Sequence, residues 1–62
     1  MLSAEGYVMF VGSALVTPLN DTIMPFRIHG TWLFKPTTAC WYVNGRSFDK
    51  HIVSDIEEDE HY

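Results

Sequence analysis

Between Ile23 and Lys35 apolar and polar positions alternate. Met24, Phe26 and Ile28 share one parity, and Pro25, Arg27 and His29 share the other. A period of two with apolar residues on one side predicts a half-buried strand. Pro25 cannot donate a ladder hydrogen bond, which puts it at a strand start or on a sheet edge. Gly30 permits a bend. Thr31–Lys35 then resumes the pattern, with Trp32 and Phe34 in line with Phe26 and Ile28, and with Leu33 facing outward. Upstream, Tyr7–Thr17 is rich in Val, Phe and Tyr, which favour strands, and its internal Gly12 reads as a bulge or bend. Pro18-Leu19-Asn20-Asp21 is a turn by composition, and Met1–Gly6 is a loose lead-in.

Ala39–Val43 forms the next apolar run, and Asn44-Gly45 after it is the strongest hairpin signal in the chain. A two-residue turn fixes the register. Val43 then faces Arg46, Tyr42 faces Ser47, and Trp41 faces Phe48 as an aromatic cross-strand pair. Tyr42 falls on the opposite face, with Leu33 as its expected neighbour. Asp49-Lys50-His51 predicts a tight turn, and Ile52, Val53 and Ile56 a last short strand or helical turn. The expected fold is therefore mainly β: a single small domain of four to five short antiparallel strands over residues 1–56, either a curved sheet or a partly open small barrel. Residues 57–62 read as an acidic, flexible tail.

Length adds a constraint. Sixty-two residues make one domain with a small core, and Cys40, the single cysteine, allows no internal disulfide. The bulk of Trp32, Trp41, Phe10, Phe26, Phe34 and Phe48 is what such a domain needs for its core. A lone cysteine suits a reducing compartment. The apolar run of residues 6–16 lacks a basic leader and is shorter than the roughly 20 residues that span a bilayer. The chain thus reads as a complete cytoplasmic gene product with no membrane partner.

Charge is segregated. Residues 1–54 carry three acids against four Lys and Arg, a balance of +1, whereas Asp55, Glu57, Glu58, Asp59 and Glu60 add -5 to give the net -4. Such a row suits a basic groove. It also speaks against direct nucleic-acid binding, including a single-strand binder that stacks bases on exposed aromatics.

The serines, histidines and Cys40 show no spacing that pairs a nucleophile with a base, so no enzyme is expected. Cys40 reads as a small half-buried thiol. His51, Asp55, His61 and Cys40 lack the spacing of a metal site, and no metal or other cofactor is expected. The outer parity is more informative. Arg27, His29, Thr31 and Lys35 share it with Leu33, Tyr42 and Tyr7, an amphipathic patch of the kind that binds partners. The competing expectation is that the N-terminal segment covers this face. The candidate contact residues are Arg27, His29, Leu33 and Tyr42 on the face, with Asp55, Glu57, Glu58, Asp59 and Glu60 in the tail.

Residues 30–56 resemble the second half of an SH3-type barrel. The shared pattern is a strand after Gly30-Thr31, a short loop, the pair Trp41-Tyr42, the Asn44-Gly45-Arg46 hairpin, Phe48, a short turn and the closing Ile52-Val53. Ser47 stands where that family usually has glycine. The resemblance implies a small barrel and, as one function, peptide recognition with Trp41 or Tyr42 stacking on a Pro-rich or extended ligand. By size, acidity and lack of a catalytic set, the chain is also similar in general type to accessory proteins of phages and mobile elements, among them inhibitors of host defence nucleases. That likeness implies a non-enzymatic protein that binds and modulates another protein, one with a basic nucleic-acid-binding groove. A homodimer, through strand edges or the Leu33/Tyr42 face, is compatible with either.

Overall fold

The structure is a computed structural model and describes residues 6–60. Residues 1–5 of the expected lead-in Met1–Gly6, and His61 with the tail's end, lie outside the described residues. Five antiparallel strands form one sheet: β1 (Val8–Val16), β2 (Phe26–Lys35), β3 (Cys40–Val43), β4 (Arg46–Asp49) and β5 (Val53–Glu58). Their spatial order is β4-β3-β2-β1-β5. Each of the first four strands pairs with its sequence neighbour, and β5 returns to the free side of β1. The fold class is as the alternation predicts, mainly β in one small unit, and the sheet is curved rather than closed.

The hairpin register follows the Asn44-Gly45 turn. Both residues take positive φ, 50° and 75°, and Val43 stands opposite Arg46, Tyr42 opposite Ser47 and Trp41 opposite Phe48. Leu33 pairs with Tyr42 as expected. The 3-10 turn Lys50–Ile52 follows β4, started by the Asp49 carboxylate, which accepts from the His51 amide at 2.8 Å.

Two expectations change. Ile23–His29 and Thr31–Lys35 are not two strands about a bend, because β2 runs unbroken from Phe26 and Gly30 pairs with Gly12 within it. Ile23, Met24 and Pro25 stay outside. Asn20 ties back the preceding loop, and Pro25 has no N–H for the ladder. Met24, expected on the core face, is 79% exposed. Second, β1 does not lie over the sheet. It lies in the sheet, and Met9, Val11, Ser13 and Leu15 extend the outer face beside Leu33, Thr31, His29 and Arg27. Pro25 stands directly before β2, in keeping with its strand-start reading; β1 and β2 are interior strands, and the edges are β4 and β5.

The concave face holds the core. Phe10, Ala14, Val16, Trp32 and Val43 are buried, and Phe26, Ile28, Trp41, Phe48, Ile52 and Val53 pack around them. Trp32 is fully buried, and its indole N–H donates to the Ile28 carbonyl at 3.2 Å, so the burial strands no polar group. Curvature is visible in the contacts. Phe26 of β2 and Phe48 of β4 meet edge to face at 6.2 Å, although a strand lies between them and flat strands two apart are roughly 10 Å apart. Arg46 caps both rings. Two facing glycines permit other close approaches in the sheet. A Cβ on Gly12 would stand 2.2 Å from the Glu57 carbonyl oxygen, and one on Gly30 would stand 2.7 Å from Asn44 Oδ1.

Candidate functional site

The outer face separates the candidate residues into two groups. Arg27 and His29 of β2 reach across β1 to the acidic last strand. The Arg27 Nη1 donates to Ser13 Oγ at 3.0 Å and to the Asp55 carbonyl at 2.9 Å, while Nη2 forms an ion pair with the Asp55 carboxylate. Glu57 Oε1 lies 3.9 Å from Nη1. His29 Nε2 faces Asp59, 3.0 and 3.2 Å from its two carboxylate oxygens. Five of the candidate residues therefore engage one another.

A β-bulge organises this cluster. Ser13 pairs with Glu57 and Leu15 with Ser54, so β5 carries one residue more than β1 between these points. Asp55 takes φ 49° there, a left-handed conformation that asparagine and aspartate tolerate better than most non-glycine residues. Arg27 binds both the carbonyl and the carboxylate of that residue and so fixes the bulge from outside. β5 extends through Glu58, past the expected start of the tail at residue 57, and the Asp59 amide still donates to the Val11 carbonyl at 2.8 Å. Glu57 and Glu58 are thus held on a strand. The apolar content of Ile52, Val53 and Ile56 signals that strand's start. Its acidic remainder carries no strand propensity and is held by backbone pairing with β1.

The second group lies toward the other end of β2. Leu33 and Tyr42 are half-buried neighbours. The Lys35 ammonium sits 5.1 Å above the Tyr42 ring, and the Tyr42 hydroxyl is 3.2 Å from Thr38 Oγ1. Beside them Tyr7, Lys35, Pro36 and Thr37 line a half-open cleft of about 370 Å³ with mostly apolar walls. Cys40 is half-buried at the start of β3. Among the described residues, no three His, Cys, Asp or Glu side chains converge on a metal-sized space, and no helix is long and apolar enough to cross a membrane.

A third feature escaped the sequence pattern. The loop between β1 and β2 exposes Leu19 at 90%, Met24 at 79% and Ile23 at 48%. It is not slack. Asn20 Oδ1 accepts from the Thr22 amide at 2.9 Å and from its hydroxyl at 2.7 Å, and the Asn20 carbonyl accepts from the Ile23 amide at 3.1 Å. The turn composition of residues 18–21 was readable, but exposure of the apolar residues around it was not, because alternation assigned Met24 inward.

No protein-family model, curated protein or solved structure matches the chain.

Proposed function

We propose that the chain is a small, non-enzymatic cytoplasmic interaction protein that binds and modulates a partner protein by occupying a basic, nucleic-acid-binding groove, in the manner of a phage-type inhibitor. The observation that carries this reading is the acidic last strand. Asp55, Glu57, Glu58 and Asp59 are exposed on or immediately after β5, held by the ladder to β1. The strand presents a preorganised polyanion along the sheet edge, with Glu57 and Glu58 on opposite faces. It loses less conformational entropy on binding than a flexible tail would. The Arg27 and His29 contacts fix part of the row in place while leaving the carboxylates at the surface, with Asp55, Glu57 and Asp59 side chains 61%, 68% and 47% exposed.

The test follows from the fold. Deleting residues 55–62 would remove most of β5, so charge must be neutralised without shortening the chain. Wild type and an E57Q/E58Q/E60Q variant are used to capture proteins from bacterial lysate at low and moderate salt. Retention of a nucleic-acid-handling protein by wild type, with loss by the variant and on raising salt, supports the groove reading. Equal retention by both proteins, or retention by neither, overturns it.

A further inference from the structure

The exposed loop and the cleft lie at opposite ends of the β1–β2 hairpin, and their chemistries match. The loop between β1 and β2 is a hydrogen-bonded turn with Leu19 and Met24 in water and Asp21 between them. The cleft is concave, with Tyr7 and Pro36 in its walls and about 370 Å³ of space. Lys35 brings a positive charge, and among the described residues its ammonium meets the Tyr42 ring rather than a carboxylate. The ten residue steps from Tyr7 to Thr17, at about 3.3 Å each, put the two features roughly 30 Å apart. One molecule cannot join its own loop to its own cleft.

We propose that the occupant of the cleft is a second copy of this chain, whose loop inserts Leu19 or Met24 between Tyr7 and Pro36 and sets Asp21 against Lys35. The contact is heterologous, loop to cleft, so each copy keeps one unused half at either end and association continues head to tail. This differs from a two-fold dimer through strand edges or through the Leu33/Tyr42 face. Other occupants fit less well. The only charged residue in the loop is Asp21, so the loop lacks the cations that draw an apolar turn to an anionic membrane. Among the described residues five side chains are buried, a sparse core without a disulfide, and small domains of that kind gain stability from association. This contact does not use the acidic strand, so it stands apart from the groove reading.

Sedimentation of the purified full chain at moderate salt tests it. Wild type is expected to show a weight-average mass that rises with concentration beyond that of a dimer. An L19S/M24S variant lacks the inserting side chains, and a K35E variant has a cleft of the wrong sign. Each is expected to self-associate at least roughly fivefold more weakly, the effect of removing an anchor from an interface. Both alter exposed residues, and an unchanged circular dichroism melt confirms their folding. Mixing them is the decisive arm. The cleft of L19S/M24S and the loop of K35E are intact, but those are the halves of one contact. The mixture therefore forms a one-to-one complex that stops at two copies. The charge-swapped D21K/K35E protein regains self-association. A wild type that stays monomeric, a mass that plateaus at a dimer, or a mixture that gains nothing over its components overturns the proposal.

Discussion

Asp55 stands at φ 49° in the bulge of β5, where a glycine would carry no steric penalty. What aspartate adds is the grip of Arg27 on both its carbonyl and its carboxylate. The guanidinium side chain is 32% exposed and the carboxylate 61%, so the pair is worth about 1 kcal/mol or less. A double-mutant cycle of R27M and D55N, read from urea midpoints, should return a coupling of that size. Gly12 is the opposite case. Alanine there would place its Cβ 2.2 Å from the Glu57 carbonyl oxygen, and main chain cannot swing aside as a side-chain tip can. G12A should cost about 1–3 kcal/mol as overpacking, or detach β5 altogether. For a domain whose whole stability is of order 0.05–0.15 kcal/mol per residue, a lowered melting temperature is the expected readout. The sequence marks Gly12 as a bend or bulge. It does not show that the neighbour at that point is a strand some 45 residues later, because a glycine's reason lies in what approaches it.

At the level of elements, alternation and turn chemistry located four strands. The β3–β4 register was legible to the residue, since Asn44-Gly45 leaves no freedom in pairing. The start of β2 and the end of β5 were not. Ile23 and Met24 are as apolar as a strand requires, yet Asn20 binds Thr22 and Ile23 and so ends the loop only at Pro25. In β5 the reverse occurs: acidic residues that favour solvent are held because β1 offers an unpaired edge. Truncation after Ser54 tests this directly. It removes Asp55–Glu58 from β1 and uncovers one side of the sheet, so the shortened chain should lose its cooperative melt and its tryptophan fluorescence shift. A native-like melt would show β5 to be dispensable. The β3–β4 turn offers a milder test. G45A forces a side chain into φ 75° and should cost about 1–2 kcal/mol with the fold retained, seen as a lowered urea midpoint with an unchanged slope.

For the whole molecule the distribution of charge matters more than its sum. A net charge of -4 is spread unevenly, with five of the eight acids in residues 55–60. That strand forms one edge of the sheet, and its carboxylates, together with the bulge, keep foreign strands from pairing there. The other edge, β4, is four residues long. Neutralising Glu57, Glu58 and Glu60 should therefore lower solubility as well as partner capture, measured as the concentration at which light scattering begins to rise. The two-ended arrangement of exposed loop and cleft was not legible in the sequence, because neither shape nor distance is carried by alternation.

The pairing of β5 with β1 also orders events in time. Residues 8–49 can build the four-strand meander from contacts between sequence neighbours, each strand folding onto the one before. One side of β1 must wait for residues 53–58. On the ribosome, therefore, the nascent chain carries an open β-edge until β5 leaves the exit tunnel. In that interval a passing strand or a chaperone has access to a surface that the finished protein never shows.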